Sequence, residues 1–118
     1  MEAPQRARFR RAGPFVFVSG VGPAAGAGDI RAQTAATIEA MGAVLEEAGG
    51  ALENLVEVTT YLVTMDDFAG YNAVYGAYFS PDGPARTTVA VHRLPAEGQR
   101  IEMRGTAYIT HDADTAPR

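Results

Sequence analysis

An α+β fold, with a mixed β-sheet carrying two helices on one face, is what three features of this chain predict. The elements read in the order β-β-α-β-α-β-β, so the two helical patterns are separated and flanked by strand-like runs. The helical patterns are amphipathic, which requires each to lie against something apolar. At 118 residues the chain forms one domain with a single core.

Phe9 to Gly13 and Phe15 to Gly20 read as two short strands joined by a turn at Gly13-Pro14. Phe15-Val16-Phe17-Val18 is apolar throughout, the pattern of a strand buried on both faces. Val21 to Gly28, rich in glycine and alanine, is expected to be a loop. Asp29 to Ala48 is the clearest helix, with Asp29 as N-cap and Ile30, Ile38, Met41, Leu45 and Ala48 at helical spacing. Gly49-Gly50 supplies the stop.

Leu55 to Val63 alternates and is rich in β-branched residues, as a strand should be. Thr64-Met65-Asp66-Asp67 has a Thr-x-x-Asp capping pattern and opens a helix that carries Phe68, Tyr71, Tyr75 and Tyr78 and ends near Phe79. Pro81-Asp82-Gly83-Pro84 breaks the chain. Thr87 to Val91 and Arg100 to Tyr108 are the last strands, and 109–118 reads as a tail after a core of about 9–108. With both helices on one face, the other face needs a cover. Phe17, Val58, Val89 and Val91 are expected there, and self-association is the expected way to hide them.

Composition removes several classes of function. A 47% apolar and 20% charged chain is that of an ordinary globular domain. The net charge of −4 argues against a nucleic-acid binder, and no apolar run reaches the length of a membrane span. Met1-Glu2-Ala3-Pro4-Gln5-Arg6 lacks the apolar core of a signal peptide, so the expected location is cytoplasmic. With no cysteine, disulfides, thiolate nucleophiles and cysteine-held metals are excluded. All ten basic residues are arginine, so a lysine Schiff base is impossible. Two histidines, His92 and His111, do not suggest a metal centre, and no nucleophile elbow accompanies His92.

The richest stretch is Gly83-Pro84-Ala85-Arg86-Thr87-Thr88-Val89-Ala90-Val91-His92-Arg93-Leu94-Pro95, followed by Arg100-Ile101-Glu102-Met103. It puts an arginine at the start of one strand and a glutamate near the start of the next. If those strands are neighbours, a guanidinium and a carboxylate face a common cleft. Arginine is the planar, bidentate partner for a substrate carboxylate, and a nearby carboxylate can position or deprotonate water. Hydrolysis of a small anionic molecule is the chemistry that pairing suggests.

Ser19-Gly20, Met65-x-x-Phe68, Tyr71-Asn72-x-x-Tyr75, Pro84-x-Arg86-Thr87, Leu94-Pro95 and Ile101-Glu102 together resemble the Rid (YjgF-like, reactive intermediate deaminase) family, in order from about Phe9 to Tyr108. Asp29 to Thr34, Val56 to Thr60 with Asp67 to Asn72, and Arg86 to His92 look closest to 2-aminomuconate deaminases within it. The resemblance implies a chorismate-mutase-like fold and a homotrimer with active sites between subunits. It implies that Arg86 binds the substrate carboxylate and Glu102 orients the attacking water. Ser19, Gly20, Asn72 and Thr88 would line the pocket. The implied reaction hydrolyses an enamine or imine to a carbonyl compound and ammonia, with no metal and no organic cofactor.

The chain departs from the broad family at Arg6-Ala7-Arg8, where many members have a tyrosine, and at Thr88, where many have cysteine. The loop after the first strand pair is shorter than in the aminomuconate enzymes. Arg104 stands where many members have a second acid, a basic residue there being a feature of the aminomuconate-like branch. Residues 102 and 104 share a strand face, so Arg104 either weakens Glu102 as a base or supplies a second anion site suited to a dicarboxylate; the second reading is preferred. Plain structural roles are open for each residue: an intersubunit bridge for Arg86, an ion-pair partner for Glu102, a loop cap for Asn72, a turn for Ser19, and core or interface for Tyr71, Tyr75 and Tyr78. Two other functions fit the same pattern. One is an enzyme of this fold repurposed for cyclisation or isomerisation, the other a metabolite-binding trimer without catalysis.

Overall fold

The computed structural model describes residues 6–24 and 28–110; the predicted tail from His111 onward and part of the predicted 21–28 loop lie outside the described residues. The elements are β1 (Phe9–Ala12), β2 (Phe15–Val21), α1 (Ile30–Glu47), β3 (Leu55–Leu62), α2 (Phe68–Tyr78), β4 (Ala85–Ala90) and β5 (Ile101–Tyr108), with 3-10 turns at Leu52–Asn54 and Met65–Asp67. This is the mixed α+β arrangement expected, with five strands and two helices.

Strand order is β1-β2-β5-β3-β4, so the last strand in sequence lies at the centre. β5 runs antiparallel to both β2 and β3, whereas β3 and β4 are parallel and joined through α2. The condition for a shared cleft, that the Arg86 and Glu102 strands be neighbours, is not met: β3 lies between β4 and β5. A parallel pair needs a crossover, and α2 supplies it by placing β4 on the outer edge of β3.

Local chemistry explains the element ends. Gly13, with φ +61°, turns the β1–β2 hairpin, and Gly49, with φ +93°, ends α1 in left-handed geometry. Asp29 caps α1 by accepting a hydrogen bond from the Ala32 amide at 3.0 Å. Thr64 accepts from the Asp66 amide at 3.1 Å, so its cap serves the 3-10 turn that leads into α2 and not the helix itself. Two strands begin away from their predicted starts, β4 at Ala85 and β5 at Ile101. Packing continues past Tyr108, since Ile109 is buried and its amide donates to Pro14 O at 2.7 Å.

The core lies between one sheet face and the helices. Ile38, Met41, Val44 and Leu45 of α1 meet Val16, Val18, Val58, Leu62, Ile101 and Met103 of the sheet. Each such side chain contributes roughly 1.5–3 kcal/mol on leaving water. Two expectations are corrected here. Val58 belongs to this helix-covered face, and the Phe15–Val18 run is buried on one side only, with Phe15 and Phe17 more than 40% exposed. Phe15, Phe17, Val89 and Tyr108 instead form the apolar part of the open face, and Phe15 meets Tyr108 edge to face with ring centroids 5.4 Å apart. Among the described residues no helix is long and apolar enough to cross a membrane.

Candidate active site

Strand register decides which side chains can meet. Arg86 pairs with Val58 and Thr88 with Thr60, and both partners are buried under the helices. Arg86 and Thr88 therefore face α2. Glu102 pairs with Tyr61 and Arg104 with Thr59, on the opposite, open face. In one chain, then, Arg86 and Glu102 do not share a cleft. The predicted residues separate into two groups on two sides of the sheet.

The first group is built around Arg86. Its guanidinium carbon lies 4.5 Å from the Tyr75 ring centroid, 5.5 Å from that of Tyr71 and 5.7 Å from that of Phe68. These rings stand at i, i+3 and i+7 on α2 and so share one helix face. Arg86 Nη1 donates to Asn72 Oδ1 at 2.8 Å and to Tyr71 Oη at 3.5 Å. Nε and Nη2 have no protein partner among the described residues. That leaves one edge of the fork free for a carboxylate, while the aromatic platform fixes its plane.

Tyr71 ties this group to the core. Fully buried, it shares hydrogen bonds with Thr60 Oγ1 at 2.8 Å and Thr88 Oγ1 at 3.3 Å. Tyr75 differs, because its buried hydroxyl has no hydrogen-bond partner among the described residues. Burial pushes its pKa above the usual tyrosine value, with Tyr71 adding to the rise and Arg86 opposing it. Beside this group opens a cleft of about 420 Å³ lined by Asn72, Tyr75, Pro81, Pro84 and Arg86.

The second group surrounds Glu102. Its Oε1 accepts from Gln99 Nε2 at 3.3 Å. Oε2 lies so close to Gly20 that a β-carbon there would approach it to 2.5 Å. The irregular register between Val18 and Val21 brings Gly20 to this position. Ser19 donates its hydroxyl to Ala7 O at 2.6 Å, tying the chain before β1 to the end of β2. Arg104 lies two residues along from Glu102 on the same face, and among the described residues neither Arg86 nor Arg104 makes an ion pair with Glu102.

A half-buried lock holds the segment entering β5. Arg100 Nε and Nη2 grip Asp67 at 2.9 and 2.6 Å, and this hydrogen bonding raises the arginine's pKa further. Gln33, buried in α1, accepts from the Arg100 amide at 2.8 Å and donates to Gly98 O at 3.0 Å. Among the described residues no group of His, Asp and Glu side chains comes together that could hold a metal ion.

Sequence reasoning assigned no site role to Gln99 or to the Phe68–Tyr71–Tyr75 platform. The platform had a signal, since an aromatic stripe one residue from Asn72 invites the question of which strand residue crosses it. Gln99 had none, because its contact with Glu102 depends on the path of the loop.

A five-stranded mixed sheet with two helices on one face, an exposed arginine fork on that side and a glutamate against a glycine on the other define a small α+β protein. Comparison with known proteins then places it: the family model described as Endoribonuclease L-PSP matches residues 5–109, and the chain belongs to this family, also called YjgF or RutC. A RutC family protein of Pyrococcus abyssi is 45% identical over 104 residues, covering 83% of this chain and 81% of the relative. Protein DfrA of Myxococcus xanthus is 38% identical over 102 residues, covering 81% and 77%. The crystal structure of RidA from a Psychrobacter species superimposes with a TM-score of 0.82 at 30% identity, covering 92% of each chain. That of a YjgF/YER057c/UK114-family member from Mycobacterium tuberculosis gives 0.80 at 29%, covering 86% and 85%.

Proposed function

We propose that this protein is a cofactor-independent deaminase that hydrolyses small carboxylate-bearing enamines or imines to a carbonyl compound and ammonia. The observation that carries this reading is the free edge of Arg86. A fork with Nη1 already held by Asn72 and Tyr71, and with its other edge unpartnered, suits one planar carboxylate. Fixing that carboxylate orients the imine carbon toward water, an effect that contributes several kcal/mol. Glu102, steadied by Gln99, is the group that orients and deprotonates the water, worth about 10²–10⁴-fold.

Because Arg86 and Glu102 lie on opposite faces of one sheet, the working site pairs Arg86, Asn72 and Thr88 of one copy with Ser19, Gly20 and Glu102 of another. The exposed Phe15, Phe17, Val89 and Tyr108 support burial of the open face between copies, and a closed homotrimer would give each subunit one complete site per interface. Arg104 adds a second positive charge on the Glu102 face, which suits a dicarboxylate such as 2-aminomuconate. The family's descriptive name is that of an RNA-cleaving activity; the net charge of −4 favours a small anion over RNA in this chain.

The test is ammonia release from freshly generated 2-aminoacrylate and 2-aminomuconate, counted above the spontaneous rate. Acceleration by the wild type, abolished by Arg86→Ala and reduced by at least about 100-fold by Glu102→Gln, is expected. No acceleration of either substrate refutes the deaminase reading for both.

A further inference from the structure

A chain of hydroxyls runs from the core to the edge of the sheet. Thr60 Oγ1 lies 2.8 Å from Tyr71 Oη, which lies 3.3 Å from Thr88 Oγ1. Thr60 and Tyr71 are fully buried. Thr88 is half-buried on β4, the edge strand, two residues along from Arg86 and on the same face. Arg86 Nη1 donates to the same tyrosine oxygen at 3.5 Å. The direction of these bonds decides what Thr88 offers to a ligand.

Proton counting fixes that direction. Each hydroxyl carries one proton and two lone pairs. Thr60 Oγ1 has no partner but Tyr71 Oη among the described residues, so its proton goes there; any other orientation strands a buried donor. The Arg86 N–H takes the second lone pair of Tyr71, which then has no room for a third donor. The tyrosine's own proton is left for Thr88 Oγ1, which accepts it. The Thr88 proton has no protein acceptor among the described residues, and its half-buried place leaves it free to meet a ligand beside Arg86. With the chain reversed, Thr88 would meet a ligand as an acceptor and the buried Thr60 proton would have no partner.

We propose that Thr60 and Tyr71 are positioning residues that hold Thr88 as a hydrogen-bond donor, and that the Thr88 hydroxyl binds the ligand carboxylate together with Arg86. This rests on Arg86 as the carboxylate site. A carboxylate offers about four lone-pair positions and the free edge of an arginine fills two, which leaves capacity for a further, neutral donor. Because buried groups set the direction, that donor is oriented before the ligand arrives, and little freedom is lost on binding.

The experiment uses the full chain and pyruvate, a stable carboxylate, with Kd read by NMR titration. Thr88→Val is expected to weaken binding by about tenfold, and Thr88→Ser by less than about threefold. Thr60→Val, behind Tyr71, is expected to weaken binding by about threefold when Thr88 is present and not at all in the Thr88→Val background. Thr60→Ser should restore wild-type affinity. Equal weakening by Thr60→Val in both backgrounds marks a purely structural role and overturns the proposal. Full affinity in Thr88→Val, while Arg86→Ala abolishes binding, also overturns it and leaves Arg86 as the carboxylate site. Pyruvate binding that is absent, or indifferent to Arg86→Ala, overturns both. Neutron diffraction from wild-type crystals grown in heavy water reads the proton positions without any variant. Deuterium directed from Thr60 to Tyr71 and from Tyr71 to Thr88 is expected; deuterium directed from Thr88 to Tyr71 overturns the proposal.

Discussion

Arg86 and Glu102 lie on opposite faces of one sheet with β3 between their strands, so a single chain cannot bring the guanidinium and the carboxylate to one substrate. If they cooperate, they do so from different copies. Arg86→Ala and Glu102→Gln should then each be inactive alone and partly active together. Unfolding and refolding the two in equal amounts should restore about a quarter of the sites by random assembly. A site contained within one chain would restore none.

Gly20 and Glu102 make a second test, on a smaller scale. Gly20→Ala places a methyl where the end of the Glu102 side chain now lies. That end is flexible and can swing away, so stability should change by less than about 1 kcal/mol. Catalysis should fall by about 10–100-fold, because the carboxylate no longer sits where water is to be held. Denaturant titration beside initial rates separates the two effects; an unchanged rate would remove Glu102 from the mechanism.

Tyr75 carries a buried hydroxyl without a partner among the described residues. Tyr75→Phe removes that polar atom and keeps the ring under Arg86, so stability should hold or rise by up to about 1–2 kcal/mol. A loss of more than that would mean the hydroxyl is bonded in the working assembly.

The same residue sets an alkaline limit. Its pKa is raised in the folded chain, chiefly by burial, so the unfolded chain ionises first as pH rises. The neutral phenol's contribution is complete below the unfolded value of about 10 and is lost as pH climbs through the folded value. Urea midpoints should therefore fall above about pH 10, and less steeply in Tyr75→Phe than in the wild type.

The Asp67–Arg100 pair joins α2 to the entry of β5, with Asp67 nearly buried and Arg100 about half exposed. Asp67→Ala should cost about 1–3 kcal/mol, below the figure for a fully buried pair because water screens the arginine. It should also loosen the Gln99–Glu102 segment and lower the rate; Asp67→Glu should recover part of both.

Much of this protein is readable without coordinates, and the reasons are local. The α1 cap at Asp29, the stop at Gly49 and the turn at Gly13 follow from backbone preferences of single residues. The α1 core positions Ile38, Met41 and Leu45 follow from helical periodicity. The family follows from ordered motifs. Pairing order is not local: the central place of β5, inserted between β2 and β3, depends on which strand edges remain free after α1 and α2 have packed. Register set Arg86 and Glu102 on opposite faces and turned Val58 inward against the sequence expectation, while Phe17 and Val89 lie on the open face as expected. Gln99 on Glu102 and Arg6 on Gly20 are contacts across loops and a strand irregularity, where no periodic signal exists. The chain by itself determined its elements and its chemical inventory. Only the tertiary structure decided which of those groups could meet, because a sheet's two faces are assigned by register, and register is settled by the packing of the whole domain.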